Sequence, residues 1–210
     1  MKNFESIENK NNLRQLFKAK REEFCAQSKD PSHGLAGNLI AENLLKVLPK
    51  KSNKYWATYR AFKSEANPAA VSLKVDISWC YPVVDGEVLS FYSNENQKWS
   101  LNQYQIEEPS QEVIRQTKRI ELSDIEGILL PGIAFDLKGQ RLGSGKAFYD
   151  KTLKNYSGIK VGVAYSVQIT ESLPSSEHDI PVDVIVTEKD IFTINESKMS
   201  GVKTQERKVL

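Results

Sequence analysis

"GILLPGIAFDLKGQRLGSGKAFYD", Gly127 to Asp150, passes from a wholly apolar run into a stretch dense in glycine and charge. Ile128 to Leu130 lacks the polar alternation of a half-exposed strand, so "GILLPGIAF", Gly127 to Phe135, predicts one continuous strand covered on both faces. The "KAFYDKTLKNY" that follows, Lys146 to Tyr156, predicts a helix. Strand, glycine loop and helix in that order make one unit of an α/β fold.

Working outward, "IKVGVAY" (Ile159 to Tyr165) and "DVIVTE" (Asp183 to Glu188) supply two more buried strands. Upstream, "YWATYRAF" (Tyr55 to Phe62) has the aromatic and β-branched content of a strand, preceded by a polar stop over Pro49 to Asn53. "NPAAVSLKV" predicts a helix with Asn67 as its cap and Pro68 in the first helical position. "ISWCYPVV" and "EVLSFYS" flank Asp85-Gly86, a hairpin signal. Leu13, Leu16, Phe17 and Phe24, then Leu35, Leu39, Leu44 and Leu48, recur at helical spacing and predict two N-terminal helices parted at "DPSHG", Asp30 to Gly34. Asn94 to Ser123 is polar, with a short helix expected near Gln111 to Arg119. The alternation implies an α/β domain: three layers, a mostly parallel sheet flanked by helices, and a small antiparallel hairpin element. Residues 1–196 form this single domain, and the charged tail 197–210 is expected to fray. Ligands of such sheets bind beyond the carboxyl ends of the strands.

The 210 residues suffice for a sizeable core, and no apolar run approaches the roughly 20 residues of a membrane helix. The polar start "MKNFESIENKNNLRQL" lacks an apolar signal core, so a cytoplasmic protein without a membrane partner is expected. Cys25 and Cys80 are far apart and have no metal-site spacing. Net charge is only +2; the basic segment Lys10, Arg14, Lys18, Lys20 and Arg21 reads as a solvated helix face, not as a nucleic-acid surface.

Gly139, Gly143 and Gly145 allow positive φ and close approach of backbone to a ligand. A helix beginning near Gly145 or Lys146 would aim free N–H groups into the loop beside Arg141 and Lys146, which favours a polyphosphate guest. A Walker loop would need glycine at Gln140 and a hydroxyl residue at Ala147, and a dinucleotide fingerprint would need glycine at Phe148. Asp150, one turn beyond Lys146, is placed to hold Mg2+ against phosphates, with Asp179 or Asp183 as a second carboxylate.

"PGIAFDLKGQRLGSGKAFYDKTL", "KNNLR" and "EHDIPVDVIVTE", in that family's order along the chain, resemble the motifs of the 5-formyltetrahydrofolate cyclo-ligases, or methenyltetrahydrofolate synthetases. "YRAFKSEANP" is similar to the segment carrying their folate-binding glutamate, and "WSLNQYQIEEP" also resembles a family segment. The chain departs from the signature at Ala147, where glycine is usual, and at Phe148, where tyrosine is usual.

The resemblance implies ATP- and Mg2+-dependent conversion of 5-formyltetrahydrofolate to 5,10-methenyltetrahydrofolate by a monomer. It implies ATP contacts from Lys10, Asn11, Asn12, Leu13 and Arg14, and from Arg141, Leu142, Gly143, Ser144, Gly145, Lys146, Ala147, Phe148 and Tyr149. Lys146 and Arg141 would be catalytic, Glu65, Arg60, Lys146 and Phe148 would bind folate, and Asp150 and Asp183 would bind the metal. Trp99 either stacks near the folate or packs within its loop. Two alternatives stay open: a diverged ATP-dependent ligase acting on another folate or amide, and a non-catalytic ATP- or folate-binding protein.

Overall fold

A computed structural model of the chain describes residues 2–27 and 34–198. Most of the break expected at Asp30 to Gly34 and all of the tail beyond Lys198 lie outside the described residues; Glu196–Lys198 form a 3-10 turn. The two N-terminal helices are α1 (Lys2–Gln27) and α2 (Gly34–Leu44). Among the described residues the strands are β1 (Lys51–Ala57), β2 (Asp76–Asp85), β3 (Val88–Ser93), β4 (Trp99–Leu101), β5 (Glu107–Pro109), β6 (Ile125–Pro131), β7 (Ala134–Asp136), β8 (Arg141–Leu142), β9 (Ile159–Val163), β10 (Ile169–Thr170), β11 (Val184–Val186) and β12 (Ile191–Thr193). Helix α3 (Gln111–Gln116) precedes β6, and α4 (Phe148–Thr152) follows β8.

The main sheet has seven strands in the order β12-β11-β9-β6-β1-β2-β3. Its five inner strands pair in parallel, and each edge is closed by an antiparallel neighbour. Period-two alternation builds the layers. Trp56, Leu129, Val161, Val163, Val184 and Val186 face one side and bury Ile40, Ala41 and Leu44 of α2. Ala57, Ile128, Leu130, Ala164 and Ile185 face the other and bury Leu153 and Tyr156, just beyond α4. The three-layer, mostly parallel α/β arrangement expected from the sequence is the observed one, with the hairpin at Asp85-Gly86 joining β2 to β3.

Several expected elements are shorter or divided. The apolar run Gly127 to Phe135 splits into β6, in the main sheet, and β7, in a small sheet with β8 and β10. The fully buried Phe135 ring lies against Gly132 and Gly162, where an added Cβ would stand 2.5 Å from ring atoms. The absence of a Cβ at Gly132 and Gly162 thus seats the ring. The helix expected over Lys146 to Tyr156 is reduced to α4, because Tyr156 turns inward and its hydroxyl donates to the Ile125 carbonyl at 3.2 Å. The helix expected after Asn67 is one 3-10 turn, Ala69–Val71, with Asn67 Oδ1 accepting from the Ala69 amide at 3.0 Å. Strand β1 begins within the expected polar stop and ends at Ala57, leaving Tyr59 to Phe62 free to descend toward the site. The α3 helix stops at Gln116, where the Thr117 hydroxyl donates to Val113 O at 2.8 Å.

Candidate functional site

Parallel strands β1 and β6 end at the same edge of the sheet, and a cavity of about 230 Å³ opens there. Tyr59, Arg60 and Glu65, beyond β1, and Pro131 to Ile133, at the end of β6, line it. That is where an α/β sheet places its ligands.

One wall is cationic. Helical spacing puts Lys10 and Arg14 on the same face of α1, and Leu13 and Phe17 seat that helix against Ile133, Ala134, Leu142 and Leu173. The Arg14 Nε donates to Gly143 O at 2.9 Å, tying α1 to the glycine loop, and its Nη1 donates to Asn11 Oδ1 at 2.6 Å. The Lys10 ammonium pairs with Asp179 Oδ2 at 2.6 Å. Despite desolvation, hydrogen bonds from Lys10 and the Ser176 amide hold the Asp179 carboxyl below its ordinary value. The Arg141 Nη2 donates to both oxygens of Asp150 at 3.1 Å, and its guanidinium lies 5.5 Å from the Tyr149 ring. Leu142, Gly143, Ser144, Gly145, Lys146 and Ala147 complete this wall.

Ala147 caps α4 in the left-handed conformation, φ 54° and ψ 20°, so the helix begins only at Phe148. Gly139, grouped with the loop glycines on sequence, does not line the cavity. It has φ +83°, and a Cβ there would approach Val182 O to 2.6 Å, so its role is to turn the chain between β7 and β8.

The opposite wall is apolar and acidic. Glu65 accepts from the Phe62 amide at 3.0 Å. Burial pushes its carboxyl above the ordinary value, opposed by that hydrogen bond and by Arg21. Arg21, itself buried, donates to Ser64 Oγ at 3.0 Å and Gly132 O at 3.5 Å, joining α1 to the Glu65 segment and to the turn after β6. Phe148 and Tyr149 wall the cavity, and Phe148 packs on Tyr104 with ring centres 5.7 Å apart. Arg60 reaches the mouth, where it pairs with Glu107 at 2.6 Å and covers Trp99 at 4.8 Å. Trp99 packs edge-on against Tyr81 behind Arg60 and does not line the cavity.

Of the residues expected at the site, the structure gathers Lys10, Arg14, Arg60, Glu65, Asp150 and the whole of Arg141 to Tyr149. Asn11, Asn12 and Leu13 do not line the cavity; both asparagines are exposed, and Leu13 packs with Phe17 beneath α1. Asp183 is not brought to it either. That carboxylate is buried at the amino end of β11, where it accepts from the Lys160 amide at 2.9 Å and pairs with the Lys160 ammonium at 3.0 Å. Among the described residues no three His, Cys, Asp or Glu side chains cluster as a metal cage. Mg2+ is commonly held by one or two carboxylates together with substrate phosphates, and Asp150 beside the cationic wall fits that donor pattern. Sequence reading missed Asn102, Tyr104, Glu107 and Glu108 as cavity residues. "WSLNQYQIEEP" marked the segment, but only its fold into a hairpin selects which side chains point inward.

A mostly parallel α/β sheet whose carboxyl edge opens on a cavity, cationic on one side and carrying a half-buried carboxyl on the other, has the plan of an α/β protein that binds anionic small molecules. Residues 80–188 match the model of the 5-formyltetrahydrofolate cyclo-ligase family. The 5-formyltetrahydrofolate cyclo-ligase of Haemophilus influenzae is 30% identical over 158 residues, 70% of this chain and 83% of its own length. That of Escherichia coli K12 is 35% identical over 115 residues, so the match spans 53% of this chain and just 62% of that relative. The solved structure of Aquifex aeolicus 5,10-methenyltetrahydrofolate synthetase superposes with a TM-score of 0.73 at 34% identity, covering 96% of each chain. The chain belongs to the 5-formyltetrahydrofolate cyclo-ligase family.

Proposed function

We propose that the protein converts 5-formyltetrahydrofolate to 5,10-methenyltetrahydrofolate, using ATP and Mg2+ and releasing ADP and phosphate. The observation that carries this reading is the placement of Arg14, Arg141 and Lys146 on one wall of a single cavity and Glu65 on the other, in a chain of this family. A phosphate chain and a pterin can then lie side by side.

An amide oxygen is a poor leaving group. In the proposed reaction the formyl oxygen attacks the γ-phosphorus of ATP, and the bond to the β,γ-bridging oxygen breaks to release ADP. The neighbouring N10 then attacks the activated carbon, its proton is lost, and the C–O bond breaks as phosphate departs. Protein groups contribute positioning and charge neutralisation to such a transfer. Lys10 and Arg14 hold the terminal phosphates, and the Gly143 to Lys146 amides with Arg141 cradle the chain. Lys146 polarises the formyl oxygen, Glu65 receives the pterin's N–H groups, and Arg60, Phe148 and Tyr149 bound the folate pocket. Asp150 would hold Mg2+, which when bound would neutralise phosphate charge. A monomer acting in the cytoplasm, with no nucleic-acid or membrane partner, completes the reading; no helix among the described residues is long and apolar enough to cross a membrane.

The test is an ultraviolet assay for the methenyl product with Mg2+ and ATP, and with each omitted. Product that requires both supports the reading. A folded protein that binds ATP but yields no product sinks it, leaving a diverged ligase or a binding protein.

A further inference from the structure

We infer that Tyr104 is a positioning residue for Lys146, fixing the lysine ammonium at the cavity. This rests on the proposed action of Lys146 on the formyl oxygen. Tyr104 sits at the tip of the β4–β5 hairpin, which pairs Ser100 with Glu108 and Leu101 with Glu107. The tip is tightly built. Asn102 Oδ1 accepts from the amides of Tyr104 at 2.9 Å and Ile106 at 3.2 Å, the Asn102 amide donates to Ile106 O at 3.0 Å, and the Gln105 amide donates to Asn102 O at 2.9 Å.

Two anchors fix this hairpin to the main sheet. Buried Glu108 accepts through Oε2 from Asn102 Nδ2 at 2.9 Å and from the Val84 amide of β2 at 3.2 Å. Arg60, just past β1, clasps Glu107 and covers Trp99. The Tyr104 ring is therefore presented from a rigid support, with the Lys146 ammonium 5.1 Å from its centre and Phe148 packed alongside.

The chemistry of this partner matters. Lys10 and Arg141 are paired with carboxylates, whereas among the described residues Lys146 has no carboxylate partner. An aromatic face attracts an ammonium without neutralising it and leaves N–H donors free for an oxygen in the cavity. A lysine on a flexible stem gains a preferred place there while keeping its charge for the transition state.

Two variants and two readouts test the inference. In the methenyl assay, Tyr104→Leu should lower kcat roughly two- to fivefold while leaving KM for folate and ATP unchanged, and Tyr104→Phe, which keeps the ring, should restore it. A raised folate KM with normal kcat would make Tyr104 a substrate wall, and equal losses in both variants would assign the effect to the hydroxyl; either overturns the inference. The second readout is the 13C NMR signal of reductively methylated Lys146, identified by its loss in Lys146→Arg. Ring-current displacement should be present in the wild type and in Tyr104→Phe and absent in Tyr104→Leu. A signal that ignores the ring overturns the inference whatever the activity. A wild type without methenyl activity that still shows the displacement would fail the proposed reaction but retain the placement of Lys146.

Discussion

The Lys160 ammonium lies 3.0 Å from Asp183 Oδ2, with both side chains less than a tenth exposed. Asn195 and Lys198 also approach this carboxylate, at the amino ends of β9 and β11, on the sheet edge opposite the cavity. Burial lowers the Lys160 pKa while the adjacent carboxylate raises it, so the charge depends on its partner. Asp183→Ala should cost about 3–5 kcal/mol in urea unfolding, the usual result of stranding a buried charge. The Mg2+ titration of the folded variant should match the wild type; a displaced titration would return Asp183 to the metal site.

Asp150 is the carboxylate that the same titration should detect. Asp150→Asn keeps an oxygen to accept from Arg141 and from the Ile180 amide, which it now receives at 3.2 Å, but removes the negative charge. Half-saturation by Mg2+ should move to higher concentration. An unaltered curve in a folded variant removes Asp150 from the metal site.

Lys146 is exposed and contributes little packing. Lys146→Ala should lower kcat by about a hundredfold or more, the scale of losing one charge-stabilising donor, and change stability by no more than about 0.5 kcal/mol. Comparable kcat in the variant excludes the lysine from the chemical step.

Glu65 should imprint a pH dependence on stability. Burial raises its folded pKa above the unfolded value near 4.5. Such a carboxyl binds its proton more tightly when folded, so its contribution is fully present below the unfolded value and is lost as pH rises through the folded one. Glu65→Gln is neutral throughout. The difference in Tm, variant minus wild type, should therefore increase as pH rises above about 4.5. A constant difference contradicts the burial of this charge.

Ala147 is held at φ 54°, where a Cβ is crowded and glycine is not. Ala147→Gly should stabilise the protein by about 0.5–1 kcal/mol, the relief exceeding the extra entropy glycine brings to the unfolded chain. Chemical denaturation measures this directly, and a destabilised variant would mean that the methyl has a packing role.

The sheet was legible wherever burial leaves a pattern. Ile128 to Leu130, Val161 to Val163 and Val184 to Val186 are apolar because both faces are covered, and each is a parallel strand. What the sequence hid lies where no period exists to project. Asp179 and Asp183 are four residues apart in an irregular segment, yet one faces the cavity and the other lies at the far edge of the sheet. The division at Gly132 was hidden because the run stays apolar on both sides of the break, and the inward set of the β4–β5 hairpin depends on a tip built from polar bonds. Arg141 to Asp150 line one cavity and could be grouped on sequence because they are consecutive, whereas their neighbours on α1 required the family's motif order.

The bond from Arg14 to Gly143 spans 129 residues of chain. During synthesis α1 emerges before the carbonyl it must meet, which is made 129 residues later. A fragment starting after α1 contains every strand of the seven-stranded sheet and lacks both Lys10 and Arg14. The cationic wall of the cavity is thus complete only once α1 has docked on the glycine loop.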